Sequence, residues 1–526
     1  MNERKNRRTG AEALVEALER AGTEVVFGYP GANIVDIFAC VRRAKFRFVL
    51  GRHEQGCTHM ADGYARATGR PGVVLVTSGP GATNAITGLA TANVDGVPLV
   101  LISGQVPLSQ IGTDAFQEAD MTGICRAATK HSFLVKSADE IPETVAQAFY
   151  IATHGKPGAV VIDVPLNVQE ELTSAQYPER ISLRAYHPEH AASTAQVNAL
   201  AKLLNAAKRP VLFAGGGVIA ANAAKDVAAL AHRAHVPVAT TLMGLGSFDA
   251  DDPLALGLSG LYGTQAANAA LAAADLVVAL GVRFNDRVTG RDIPRSVGKG
   301  KIVHVDCDPS SIDKNVPVTL GIVADVKDLL TTVNSRIRPA EHADWLRRIA
   351  AWKRADRRER ALPGRRLVES IARATGGRAI LVADVGNHQM ACARHYCHAF
   401  PRHFLTSGGM GTMGFAIPAA IGAALARPGE KVVAVVGDGG AQMTFEELIV
   451  AVELKLPIAF VVVNNRSLGM VDVPIASPDF VKLAQAYGLK GVRVADPQKL
   501  DAAIARAVKA KAPVLVEVLI GSKVKA

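Results

Sequence analysis

Aromatic residues make up only 5% of this 526-residue chain, and its six cysteines (Cys40, Cys57, Cys125, Cys307, Cys392 and Cys397) include no C-x-x-C pair. That spacing argues against a zinc site or a disulfide framework and points to a reducing, cytoplasmic setting. No apolar run approaches the ~18–20 residues that a membrane helix needs, so no membrane span is expected. The opening MNERKNRR is basic, but no apolar stretch follows it, so it does not read as a secretory signal. The formal charge of +11 is dispersed and not interleaved with aromatics. It reads as an Arg-rich solvated surface, and nucleic acid is not an expected partner.

What the chain has is apolar content (49%) and glycine (48 residues) in a pattern typical of α/β proteins. Its length suggests about three domains at roughly 100–200 residues each. Short apolar strands such as GVVLVTSGP, VPLVLISG and GAVVIDVP alternate with helical stretches, the pattern of βαβ units on a parallel sheet. The expected fold is α/β, with three doubly wound parallel-sheet domains over 1–185, 192–340 and 362–526. A polar, Pro-containing linker, SAQYPERISLRAYHPEHAAS, separates the first two, and a charged helical segment, EHADWLRRIAAWKRADRRERA, leads to the third. The first and third blocks are alike in strand content and length, which suggests an old duplication.

The strand KVVAVVGDGG ends in Gly437-Asp438-Gly439, the helix TFEELIVAVEL follows, and the next strand ends in Asn464-Asn465. Neighbouring parallel strands thus deliver a carboxylate and a carboxamide to one sheet edge, where open α/β sheets bind ligands. Both are hard oxygen donors of the kind Mg²⁺ takes together with phosphate and water. The glycines let the main chain approach phosphate oxygens. Alone, G-D-G would read as a turn; with the paired amides it matches the thiamine-diphosphate (ThDP) enzymes. That resemblance implies Mg²⁺ ligation by Asp438, the Asn465 side chain and the Ser467 carbonyl. In FVLGRHEQG, Glu54 follows a strand and opens a helix, so by itself it reads as a first-turn carboxylate favoured by the helix dipole. His53 reads as an orienting or packing histidine.

The chain further resembles the acetolactate synthase (acetohydroxyacid synthase) large-subunit family along nearly its whole length. The resemblance is carried by RHEQG…HMADGYARATGRPGVVLVTSGPGATNAITGLATA, SGQVP…IGTDAFQEAD, TTLMGLG, GVRFNDRVTG, TSGGMGTMGFAIPAAIGA and PDFVKLAQAYGLKG. It implies that Glu54 is the carboxylate activating ThDP, with Gln105, Phe116 and Arg283 beside the substrate. Pro30, Gly31 and Asn84 would join Glu54 around the pyrimidine. Gly386, Asn387, His388, Gly411, Met413, Gly437, Asp438, Gly439, Gly440, Asn465, Ser467, Leu468, Gly469 and Met470 would hold the rest of the cofactor. Met413 matches the residue propping ThDP in its bent shape, although core packing would also suit it. FAD without a redox role is implied in the middle block, at Gly216, Gly217, Thr241, Met243, Arg283, Arg287, Asp306 and Asp325. A surface ion pair with Asp286 would equally account for Arg287, and Gly215-Gly216-Gly217 departs from G-x-G-x-x-G.

The implied reaction condenses two pyruvates, or pyruvate and 2-ketobutyrate, to a 2-acetohydroxy acid and CO₂, a step of branched-chain amino-acid biosynthesis. The family places its sites between the subunits of a homodimer or tetramer and admits a regulatory small subunit. Four departures stand out. After NNRSLGMV a Trp-containing lid segment is missing, the C-terminus is short, and Ala32 and Tyr262 stand where the family usually has Gly and His. Lids exclude water. Their shortening keeps open an alternative, a ThDP-dependent 2-keto-acid decarboxylase or a carboligase with another substrate. A silent structural paralogue is disfavoured, since Glu54, Asp438 and Asn465 are all present.

Overall fold

The computed structural model describes residues 7–181, 183–289, 298, 300–356 and 364–521. The basic opening (1–6), the end of the charged segment (357–361) and residues 522–526 lie outside them. Three six-stranded sheets, all with parallel pairings, form the frame. Their strands are runs of β-branched and apolar residues buried on both faces, as in Val432–Gly437 (β1), Ile458–Asn464 (β2) and Val514–Leu519 (β3).

Numbering strands within each sheet by chain position, the first sheet (strands from Val25 to Pro165) has the spatial order 2-1-3-4-6-5. The third (Ile380 to Leu519) has that same order. The middle sheet (Pro210 to Val323) runs 3-2-1-4-5-6, the dinucleotide-binding order. A short antiparallel hairpin, Ser467–Leu468 with Val473–Pro474, stands apart, where the Trp-containing segment is missing from the sequence.

One core is shared by the first and third domains. It is built around helices Glu54–Thr68 (α1) and Ala416–Ala426 (α2). Gly63 lies against the main chain of Ala419, and Gly422 against the carbonyl of Met60. A Cβ at either glycine would overlap backbone atoms, so only glycine allows this approach. These pairings make α1 and α2 antiparallel. The helix expected over TFEELIVAVEL is instead a 3₁₀ turn, Phe445–Glu447, followed by Leu448–Glu453.

In an exposed helix, Gly→Ala would stabilise by about 1 kcal/mol through propensity. At the seam the sign reverses: Gly422→Ala should lower stability by about 1–3 kcal/mol through overpacking, read from the denaturant midpoint. An unchanged or raised midpoint would show that the helices can part without cost.

Candidate active site

In open α/β sheets, ligands bind outside the carboxyl ends of the strands where the strand order reverses. In the third sheet that point lies between Ile380–Ala383 and β1. The residues leaving these strand ends include Gly386, Asn387 and Asp438. They line a cavity of ≈ 270 Å³ that also holds His388, Gly411, Met413, Gly437, Gly439, Gly440, Asn465, Ser467, Leu468, Gly469 and Met470. All the residues expected around the diphosphate are therefore brought together. Gly386 has φ +151°, and a side chain there would strike the His388 ring; one at Gly437 would meet the same ring. Burial lowers the His388 pKa to about 4, so the ring is neutral, and its buried Nε2 has no partner among the described residues.

The two amides part company. Asn465 faces the cavity, and its Oδ1 accepts the Ser467 N–H at 3.2 Å. Asn464, on the opposite face of the strand as alternation requires, donates to buried Glu517 on β3 at 2.7 Å. Asp438 accepts the Gly439 N–H at 3.0 Å and, at its other oxygen, the Ser477 hydroxyl at 2.9 Å. One carboxylate, one amide oxygen and a main-chain carbonyl beside a glycine-lined cradle suit Mg²⁺ and a diphosphate. Ser477 carries no signal in the sequence, because it lies just past the point where the segment departs from the family pattern. Asp384 was missed as well. It is fully buried, accepts the N–H groups of Val385 (2.7 Å) and Gly414 (3.0 Å), and is pushed up to about 7 by burial. The only hint in the sequence was a strand ending in Asp.

The residues expected around the pyrimidine gather at the reversal point of the first sheet, between Val25–Tyr29 and Gly72–Val76. Gly31 packs on Thr77, Gly81 faces the Glu54 carboxylate, and the Asn84 amide donates to Glu54 at 3.0 Å. Pro30 adjoins Gly31 in the chain. His53 caps α1, accepting the Gln55 N–H at 3.1 Å. None of these residues lines the diphosphate cavity. Phe415, at the start of α2, packs between two residues of α1, under the Arg66 guanidinium and 5.5 Å ring to ring from His59. Phe116 is 83% exposed and lines neither large cavity. Gln105 is 3% exposed, and its amide is spent inside the chain. It donates to Asp163 (2.9 Å) and the Ala119 carbonyl (2.7 Å) and accepts the Val106 N–H (2.9 Å). In this chain it braces the loop that carries Phe116.

The middle sheet reverses between Pro210–Ala214 and Leu276–Leu280. Beyond these strand ends a cavity of ≈ 340 Å³ is lined by Gly216, Gly217, Thr241, Met243, Arg283, Arg287, Asp306 and Asp325, with Tyr262 beside them. The glycine turn suits a close approach: Gly217 already touches Gly281. Burial raises Asp306 to about 6. Asp325 caps the following helix. Arg287 lines the cavity and also lies 3.7 Å from Asp286. Arg283 donates to the Val94 carbonyl of the first domain and lies 3.8 Å from Asp95. These groups suit a flavin nucleotide.

Three parallel sheets, the middle and third with a cavity at the reversal point, define the class. The chain matches three family models in order: thiamine pyrophosphate enzyme N-terminal TPP binding domain (8–124), central domain (197–333) and C-terminal TPP binding domain (384–518). Within that class it belongs to the acetolactate synthase family. It is 43% identical to the acetolactate synthase large subunit of Haemophilus influenzae, over 96% of this chain and 92% of that protein. It is 42% identical to the acetolactate synthase isozyme 3 large subunit of Escherichia coli (95% and 92%). To the mitochondrial acetolactate synthase catalytic subunit of Saccharomyces cerevisiae it is 41% identical (98% and 81%). Among the described residues no helix is long and apolar enough to cross a membrane.

The two amides should separate on mutation. Asn465→Ala should weaken Mg²⁺-dependent ThDP binding about 10-fold or more, while Asn464→Ala should leave it nearly intact and lower the melting temperature, since it strips a partner from buried Glu517. Calorimetric titration with Mg²⁺ and ThDP decides; equal losses of affinity would refute the division of labour.

Proposed function

We propose that the chain is the catalytic large subunit of an acetolactate synthase, condensing two pyruvates, or pyruvate and 2-ketobutyrate, to a 2-acetohydroxy acid with release of CO₂. The observation that carries this is identity above 40% along nearly the whole chain to acetolactate synthase catalytic subunits, together with the cavities at the reversal points of the middle and third sheets. The chemistry supplied by bound ThDP is loss of CO₂ from a 2-keto acid and transfer of the remaining unit to a second carbonyl. Asp438, Asn465 and the Ser467 carbonyl would hold Mg²⁺ against the diphosphate. Glu54, oriented by Asn84, would share a proton with the pyrimidine ring nitrogen, a role that needs a carboxylate within hydrogen-bond reach. Met413 would set the cofactor's bend. Arg283, anchored by Val94, would present its planar guanidinium to flavin and substrate carboxylate. FAD in the middle cavity would serve without redox change.

Glu54 belongs to the first domain and does not line the third-domain cavity that holds Asp438. Their meeting therefore needs a second copy, in a homodimer or a tetramer built from it. The acetolactate synthase relatives called large subunits also make a regulatory small subunit a reasonable partner. The short hairpin at 467–474 is the feature most favourable to simple decarboxylation, because it leaves less chain to exclude water.

Purified protein with pyruvate, Mg²⁺, ThDP and FAD should yield 2-acetolactate in excess of acetaldehyde; the reverse ratio would establish the decarboxylase. Glu54→Gln should retain ThDP yet lose about 10²–10⁴ in turnover. Arg283→Ala should release FAD or raise the KM for pyruvate, and if neither moves, the middle cavity has been misread.

A further inference from the structure

Glu447 is a carboxylate with no solvent exposure, on the 3₁₀ turn that leaves the diphosphate cleft. It does not bond within its own domain's helix. It crosses to the first domain, where both of its oxygens accept the Arg52 N–H at 3.1 Å and Oε1 accepts the His53 N–H at 2.9 Å. Gly56 lacks a side chain where the carboxylate sits; a Cβ there would overlap it. The Arg52 guanidinium reaches back to Glu453 and to the carbonyls of Leu50 and Gly51. His53 has extended backbone (φ −149°, ψ 144°), so its N–H has no place in the helix ladder. Glu447 supplies the partner that it and Arg52 need. The next residue is Glu54.

We infer that Glu447 is a positioning residue for Glu54: it clamps the two main-chain N–H groups ahead of Glu54 and so fixes where that carboxylate points. This rests on Glu54 acting as the activating carboxylate. Burying a carboxyl is costly, and burial does raise this one to about 7. A carboxylate offers two acceptor oxygens and no donor, which suits two converging N–H groups. Misplacement of a reacting group by 1 Å can cost about 100-fold in rate.

The test uses the full-length protein carrying Glu447→Gln, whose amide turns one acceptor into a donor. Without cofactor, amide hydrogen exchange over residues 50–56 should quicken about 10-fold, as expected for a lost hydrogen bond of 1–1.5 kcal/mol. With Mg²⁺ and ThDP, cofactor affinity should stay near wild type, while exchange of the ThDP C2 proton slows about 10-fold or more. A lower melting temperature with wild-type C2 exchange would overturn the inference, because a purely structural tie behaves that way. Glu54→Gln runs in parallel: undiminished C2 exchange there would remove the Glu54 reading itself, and the inference with it. If Glu447→Gln does not fold, Glu447→Asp, charged but one methylene short, is judged by the same two measurements.

Discussion

Much of the molecule follows from the closeness of two helices. Gly63 on α1 and Gly422 on α2 let backbones touch, and that contact fuses the cores of the first and third domains. Because the helices are antiparallel, their N-termini, which lead into Glu54 on one side and out of the Met413 loop on the other, stand at opposite ends. Under the proposed function, a second chain would be needed to bring Glu54 to the cavity lined by Asp438.

Buried polar ties reinforce each end of the seam. At one end Arg66 bridges Asp62 and Asp95, and Asp95 also accepts the N–H groups of Gly408 (3.0 Å) and Gly409 (2.7 Å) in the third domain. With Arg283 beside it, Asp95 is where all three domains meet. Such buried charge adds less to stability than to uniqueness of arrangement, since removing one partner strands the other. At the opposite end, Glu447 grips the backbone before Glu54. Orientation is therefore specified by polar ties on either side of the close glycine contacts between the two helices.

Strands and their terminal motifs were legible in the sequence, because fully buried parallel strands leave unbroken apolar runs that stop at Gly, Asp or Asn. The clustering of Gly386, Asp438 and Asn465, and of Gly216, Arg283 and Asp306, agrees with that reading. Strand order was not legible, since it depends on which buried faces find one another over long separations. Nor were the long-range polar contacts. Nothing in the sequence marks Glu447, and only the fold shows it buried against residues some 400 positions earlier. The split between Asn464 and Asn465 could have been anticipated from strand alternation, had it been applied past the end of the apolar run.

The identical strand order of the first and third sheets adds a further dimension to the seam. Helices α1 and α2 each follow the second strand of their sheet and precede the third, so they are topological equivalents. Equivalent helices crossing antiparallel, each glycine seated on the other's backbone, obey the rule of a two-fold symmetric interface: what one side offers, the other receives. The chain thus contains an internal pseudo-dyad, the arrangement that fusion of a single-domain homodimer would leave. A pair of such chains would place four related domains about crossed axes, and the middle domain, with its different strand order, would be the insertion that breaks this symmetry.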